Sequence, residues 1–528
     1  MSTTAAPPEQ STDRPRARRI PRALAALIGV LAVGAALGVG HLVAAVAAPS
    51  SSPFLAVGDT VIRFSPQWLT EFAKTTFGTA DKPILLAGMG VVILLIAASA
   101  GALSRRRATV GLAVVVAMGV LGLLAVAFSP AFGLLSLLAP LASIVVGVVS
   151  FRWLHGLALR TYAPAATSGG VSRRGVLIGS AAAVGVGALA AGAGGVVLGG
   201  NVEDARRRVT ARLARARLAE VAPPVPATAA FTESGTVPFI TSNAEFYRVD
   251  TALRLPTQSE TSWSCEIGGM VDNPFTLTFD DLMSRPLVER TLTMTCVSNV
   301  VGGPYISTAN FIGVELRDIL AEAGVQPGAD QVLSTSLDRW TAGSPTDVVM
   351  DPARGALMVV GMNGEALPAE HGFPVRLVVP GLYGFLSATK WLTDIELTTF
   401  GAAQGYWLQR GWGRFAPIKT QCRIESPIGF DQVPAGTVTV AGIAWSQPVG
   451  ISRVEVRMDG GPWQEAELAE EVNPSTWRMW RTDFDLTPGS HTVQSRATDG
   501  NGVTQPEEST PPIPDGAQGW PGTIFTVA

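Results

Sequence analysis

A chain of 528 residues has room for two or three domains, and its 39 Lys and Arg against 42 Asp and Glu, a net charge of -3, give no sign of nucleic-acid binding. Its three cysteines form neither a CxxCH haem-attachment site nor a clustered iron–sulfur motif. Hydrophobic residues make up 47% of the chain, and they are concentrated towards the N-terminus.

Five apolar, charge-poor runs lie there, at 23–48, 84–103, 110–128, 131–151 and 175–199. Each is long enough to span a bilayer, so the sequence predicts an α-helical membrane bundle over residues 1–200. Five spans leave the two ends on opposite sides. Arg14, Arg16, Arg18, Arg19 and Arg22 precede the first span, Arg105 to Arg107 join the second to the third, and Arg152, Arg160, Arg173 and Arg174 join the fourth to the fifth. By the positive-inside rule the N-terminus is cytoplasmic and everything after the fifth span is extracytoplasmic. Arg206, Arg207, Arg208, Arg212, Arg215 and Arg217 then fall on the outer side and argue against that topology. The run from Ser172 to Leu177, with Arg173-Arg174 before an Ala/Gly-rich stretch, fits an internal twin-arginine export signal that would override the rule. The plainer reading is an ordinary pair of anchoring arginines.

The bundle holds two histidines, His41 and His155, at opposite membrane faces. A depth difference of roughly 20 to 25 Å rules them out as axial ligands of one haem. Ala, Gly and Val dominate the spans, which suits close helix packing and an anchoring role.

Residues 201–234 read as a basic helix suited to lying on lipid headgroups, then a Pro-rich linker with Pro223, Pro224 and Pro226. The segment 235–425 has the short β-branched runs and turns of an α+β domain, with strands expected at 264–271 and 291–296 and a helix at 314–323. From 426 to 528 the runs TVTVAGIAW, SRVEVRMDGG, TWRMWRTDF and HTVQSRATDG alternate with period two between turns, the pattern of a β-sandwich of about seven strands. Trp463, Trp477 and Trp480 are expected at its core and edge.

Two segments of the α+β domain carry chemistry. In TLTMTCVSNVVGG, a thiol at Cys296 is followed by small polar and glycine residues, which let a soft sulfur reach a metal while the backbone approaches a bulky ligand. In EHGFPVRLVVPGLYGFLSATKW, His371, Arg376, Ser387 and Lys390 supply donors suited to an anionic cofactor. Cys265 and Cys422 lack such company and read as small buried hydrophobes.

Together these motifs resemble the sulfite oxidase family of molybdopterin oxidoreductases, over residues 235 to 528. The resemblance implies a molybdenum–molybdopterin cofactor, with Cys296 as the metal-ligating cysteine. Phe246, Tyr247 and Arg248 match an early cofactor-contacting segment, with Arg248 as the cation facing the metal's anionic pocket. Asp338, in SLDRW, matches an acidic cofactor contact, His371 and Arg376 match those of HGFPVR, and Ser387, Ala388, Thr389 and Lys390 match the segment that grips the pterin phosphate. Arg248, Arg376 and Arg410 are the candidate substrate-side cations. The family's catalytic tyrosine falls at Trp412, whose indole donates one hydrogen bond but is no phenolic acid. The sandwich resembles the family's immunoglobulin-like dimerisation domain and so implies a homodimer.

The sequence thus predicts a multi-pass, membrane-anchored molybdenum oxidoreductase that transfers an oxygen atom to or from a small sulfur-containing substrate outside the cytoplasm. A cofactor loaded in the cytoplasm favours the twin-arginine reading of Arg173-Arg174. Electrons would leave to a separate cytochrome or quinone. A sulfoxide reductase of the same fold, or a tethered binding module with an empty pocket, are the alternative readings.

Overall fold

The computed structural model describes residues 19–48, 51–66, 69, 72–73, 76–77, 80–129, 132–161, 202–231, 234–253 and 255–528. The chain divides into two compact units at Gly199–Gly200. The expected fifth span, the Arg173-Arg174 motif and Arg14, Arg16 and Arg18 lie outside the described residues.

The first unit contains α1 (Arg22–Ala47), α2 (Pro53–Phe64), α3 (Asp81–Leu103), α4 (Thr109–Ala127) and α5 (Leu138–Thr161). Among the described residues, four helices are long and apolar enough to cross a membrane: Arg22–Ala47, Asp81–Leu103, Thr109–Ala127 and Leu134–Arg160. They match the first four expected spans, the last running further than expected, past His155. The twelve-residue α2 is an addition, too short to span. Small residues set the packing: a Cβ on Gly29 would fall 2.0 Å from Ala97 O, and one on Gly101 would fall 2.1 Å from Ala25 O.

Hydrogen bonds tie three helix ends into one face. Ile20 N–H donates to Arg105 O at 3.0 Å, Arg105 Nε donates back to Ile20 O at 2.8 Å, and His155 Nε2 lies 2.6 Å from Ser104 O. Arg19, Arg22, Arg105 to Arg107 and Arg160 therefore gather at one end of the unit. His41 lies at the other, with Nδ1 3.2 Å from Ser52 Oγ. Since α1 and α5 run antiparallel with Gly40 against Ser143 and Ala36 against Gly147, His155 is level with Ile28, about 20 Å from His41 along the axis.

In the second unit, the helix 202–213 (α6) begins the fold. Val202, Ala205, Val209 and Leu213 recur at helical spacing and are buried in the same core as the sheets. The apolar face expected to meet lipid is thus covered by protein. Most of the arginines are paired with carboxylates: Arg206 with Glu203, Arg207 with Asp204, Arg208 with Glu260 and Arg212 with Asp280. The Pro-rich stretch is also docked, with Ala229 and Phe231 in an apolar cluster alongside Trp445 and Trp477.

Two sheets follow, the first mixed and the second antiparallel. One has the order β2 (Phe275–Thr278), β1 (Ser264–Gly269), β10 (Leu392–Thr398), β5 (Gln331–Ser336), β6 (Thr341–Pro345). The other runs β3 (Val288–Thr295), β4 (Ile306–Glu315), β7 (Leu357–Met362), β8 (Glu365–Ala366), with β9 (Arg376–Val378) also on β7. The short helices α7 (Phe279–Met283), α8 (Leu316–Ala323), α9 (Thr346–Met350) and α10 (Gly384–Ser387) pack around them. Of the expected elements, β1, β3 and α8 lie where the periodicity put them, within two or three residues.

The last part is all-β. One sheet orders β11 (Gln421–Ser426), β13 (Gly436–Trp445), β17 (Arg478–Leu486) and β16 (Glu467–Leu468). The other orders β12 (Gln432–Val433), β19 (Gly522–Val527), β18 (Gly489–Asp499), β14 (Ile451–Met458) and β15 (Gln464–Glu465). Trp477 and Trp480 are buried. Trp463 stands at the rim, 5.0 Å from Trp520 with Arg457 and Arg496 against both rings.

Candidate active site

Cys296 follows directly on β3, whose last five residues are buried, and its side chain is half-buried. The thiol sulfur lies 2.9 Å from Ser298 Oγ. Its backbone N–H donates to Tyr305 O at 3.0 Å, and its carbonyl accepts from Asn299 N–H at 3.0 Å. The loop returns tightly because Gly303 has no Cβ; one there would lie 2.6 Å from Asn299 Oδ1. Asn299 Oδ1 holds Tyr305 N–H at 2.9 Å, while its buried Nδ2 has no protein acceptor.

The turn 242–248 packs on β4 through Thr241 N–H to Thr308 O at 2.8 Å and Tyr247 N–H to Ser307 Oγ at 3.1 Å. Phe246 stands edge-on to Phe311 at 6.1 Å and to His371 at 5.3 Å, and Tyr247 stacks on Phe246 at 5.4 Å. Burial pushes the Tyr247 phenol well above its ordinary range; the nearby Cys296 adds to this and Arg376 opposes it. Tyr383 is raised in the same way, by burial first, with Cys296 contributing. Of only five tyrosines in the chain, Tyr247 and Tyr383 lie within electrostatic reach of the thiol. The Tyr305 carbonyl accepts the Cys296 backbone N–H, and the Tyr305 ring is 6.5 Å from that of Tyr247.

Beside them the two HGFPVR and SATKW segments are locked together. Gly372 has φ +107° and sits so close to Lys390 that a Cβ would lie 3.0 Å from Lys390 Cα, which only glycine allows. Arg376 is 4% exposed. Its guanidinium donates to His371 O at 3.2 Å and Leu377 O at 3.5 Å and has no carboxylate partner among the described residues. Burial lowers its pKa to about 10. Lys390 donates to Glu370 O at 3.0 Å and to Asp250 at 3.2 Å; burial lowers it to about 8, against the pull of Asp250. Asp250 also takes Arg248 Nε at 2.9 Å. His371, bonded to Asn243 O at 3.3 Å, is pushed down to about 3 by burial and by Arg376 and Lys390, so it is neutral.

Other expected residues are turned elsewhere. Ser387 Oγ donates to Leu382 O and Tyr383 O, both at 3.1 Å, and Thr389 Oγ1 meets Ser334 Oγ at 2.6 Å. Ala388 caps α10 through its N–H to Gly384 O. Asp338 accepts Trp340 N–H at 3.2 Å and so shapes the β5–β6 turn. That turn touches the SATKW segment through Leu337 N–H to Trp391 O at 2.8 Å. Arg410 is exposed and lies over the Tyr406 ring at 3.6 Å, bonded to Tyr406 O. Trp412 is half-buried between Phe385 at 5.5 Å and Trp407 at 5.7 Å, in the cluster that includes Val297 and Tyr383.

Sequence reasoning missed Asp250 and Tyr383. Asp250 lies two residues from Arg248, and the scarcity of tyrosine was the available signal for Tyr383.

A buried, carboxylate-free guanidinium, a second buried cation, an orphaned amide donor and an accessible thiol suit an anionic, acceptor-rich group that carries a soft metal. Among the described residues, no three His, Cys, Asp or Glu side chains cluster to hold a metal by themselves, so other ligands would arrive with the cofactor.

Residues 252–407 match the oxidoreductase molybdopterin binding domain, and residues 417–513 match the Mo-co oxidoreductase dimerisation domain. The mitochondrial sulfite oxidase of Macaca fascicularis is 31% identical over 46% of this chain and 53% of that protein. An NADH nitrate reductase of Brassica napus is 27% identical over 48% of this chain and 35% of that protein. The solved sulfane dehydrogenase SoxCD of Paracoccus pantotrophus aligns at 25% identity and a TM-score of 0.46, over 51% of this chain and 75% of that one. The second unit is thus that of a molybdopterin-dependent oxidoreductase. Over residues 252–513 the chain is similar to the sulfite oxidase family. It spans about half the length of the first curated relatives it matches.

Proposed function

We propose that this protein is a membrane-anchored molybdopterin oxidoreductase that transfers an oxygen atom to or from a small sulfur-containing substrate on the extracytoplasmic side. The observation that carries this reading is that the half-buried Cys296 thiol and the buried, carboxylate-free guanidinium of Arg376 both lie within electrostatic reach of Tyr247. A buried cation without a counter-ion is costly unless the site takes an anion.

Bound there, molybdopterin would supply a metal that changes oxidation state by two electrons and an oxygen for transfer. The rest is this chain's work. Cys296 would ligate the metal as thiolate. Arg376 and Lys390 would hold the anionic pterin, and neutral His371 would pack against Phe246 to fix the wall. Arg248, 44% exposed at its side chain, would face the substrate, with Arg410 further out. Ser387, Ala388, Thr389 and Asp338 would shape the backbone around the pterin, the side-chain oxygens of Ser387, Thr389 and Asp338 being engaged within the protein.

Most arginines of the described helices, Arg63 and Arg152 apart, lie at one end of the bundle, the cytoplasmic one by the positive-inside rule, and a fifth crossing at 175–199 would carry the second unit to the other side. The C-terminal domain is proposed to be immunoglobulin-like and to pair two copies. Electrons would pass to a separate cytochrome or quinone.

Purified protein is expected to hold about one molybdenum per chain. Cys296→Ser should lose most of it, because a hydroxyl is a poor soft-metal ligand at neutral pH. Cys265→Ser and Cys422→Ser, at buried sites away from the metal, should keep it. Equal loss in all three variants, measured by metal analysis, would show the ligand to be misassigned. Absence of metal from the wild type would favour a binding module.

A further inference from the structure

The strand that runs into Cys296 is an edge strand. β3 pairs with β4 on one side only, so its outer edge presents alternate backbone groups that need partners. At its start these come from the segment after α6: Ala219 N–H donates to Leu287 O at 2.7 Å, and Glu289 N–H donates to Glu220 O at 2.9 Å.

Nearer Cys296 the partners come from the C-terminal β domain. Asn473 Nδ2 donates to Thr291 O at 3.0 Å, Thr293 N–H donates to Ser475 O at 3.0 Å, and Gln447 Nε2 donates to Thr293 O at 3.3 Å. Trp477 N–H donates to Thr293 Oγ1 at 2.8 Å. Asn473 also folds its own segment, its Oδ1 accepting Ser475 N–H at 2.8 Å. Trp477 is 2% exposed, in a cluster with Val297 and Tyr383. The loop after the thiol is held too: Arg423 Nη1 donates to Gly303 O at 2.9 Å.

We propose that residues 473–477, with Gln447, clamp the free edge of β3, so that the C-terminal domain positions the Cys296 thiol within its own chain. Asn473 and Gln447 are then positioning residues. The inference rests on reading Cys296 as the metal ligand. An edge strand without this clamp would open locally far more often than a strand paired on both sides, and a metal ligand tolerates little displacement.

Hydrogen exchange on the full-length protein in detergent tests it, together with the alkylation rate of Cys296 in cofactor-free protein, where Cys265 and Cys422 are buried. In Asn473→Ala with Gln447→Ala, the β3 amides should exchange about tenfold faster and Cys296 should react several-fold faster, with β7 and β14 unchanged. Asn473→Asp, which keeps the acceptor for Ser475 but loses the donor to Thr291, should fall between. Unchanged β3 exchange in the double variant would overturn the clamp. So would acceleration spread evenly over β13, β14, β17 and β18, since Asn473 would then serve only its own domain. Molybdenum retention by Cys296→Ser would remove the ligand reading, and the positioning role with it, whatever β3 does.

Discussion

At the scale of single residues, the site's charges set a testable pH dependence. Lys390 is lowered by burial from 10.5 to about 8. Between those values the unfolded chain binds a proton that the folded chain has released, so stability rises with pH across that window. Below pH 8 both states are protonated and the buried charge is a standing cost. The Lys390 contribution to the stability of cofactor-free protein should therefore rise between pH 8 and pH 10 by up to about 1.4 kcal/mol per pH unit. The buried Cys265, Cys422 and Tyr247, whose pKa values are raised, pull the opposite way, so the contribution is read as the difference between wild type and Lys390→Met. Lys390→Met should remove the rise while weakening cofactor retention; thermal melts at several pH values check both. Trp412 allows a second test. At the position the family resemblance assigns to a phenol it offers apolar area and a fixed N–H, so on that reading sulfite oxidation should be slow and Trp412→Tyr should raise it. Steady-state assays on sulfite and on organic sulfoxides measure this; wild-type turnover of sulfite at about tens per second would restore sulfite as the leading substrate. Cys296 was legible in the sequence because its neighbours are chemically unusual. Asp250, an ordinary acid two residues past an arginine, was not, since only folding brings Lys390 to it.

At the scale of elements, α6 shows how a charge count misleads. Its arginines read as a lipid-facing surface and as an objection to external placement. In the fold most of them are matched by carboxylates, and its apolar residues are core. Two of the pairs, Arg208 with Glu260 and Arg212 with Asp280, join residues more than 50 positions apart, which no local pattern reports. Leu213 lies where a Cβ on Gly361 would come within 2.9 Å of it. Leu213→Ala should therefore cost about 2–3 kcal/mol, as core truncations do, whereas Arg215→Ala should stay within about 0.5 kcal/mol. Thermal or denaturant unfolding of the two variants separates a structural helix from a lipid-lying one; equal, small effects would support the latter. The strands of the β domain were legible because period-two alternation is a local property. The docking of its 473–477 segment on β3 was not, since it joins residues some 180 positions apart.

At the scale of the whole molecule, the proposed extracytoplasmic placement requires a domain that binds a cofactor to pass a membrane. If the four candidate helices cross the membrane, the chain returns to the arginine-bearing end of the bundle, where α5 ends, and the proposed placement needs one further crossing. The sequence puts that crossing at 175–199, directly after Arg173-Arg174. Two mechanisms are consistent with those residues. Ordinary insertion responds to positive charge, for which lysine and arginine are equivalent. A twin-arginine receptor reads a pair of planar guanidinium groups, which lysine cannot imitate. Replacing Arg173→Lys together with Arg174→Lys keeps the charge and removes the guanidinium pair. The double variant should leave the second unit protected from external protease in spheroplasts, while the wild type is digested. Undiminished external digestion of the variant would assign the fifth crossing to ordinary insertion. The cofactor would then have to be acquired on the outer side or carried across by some other means.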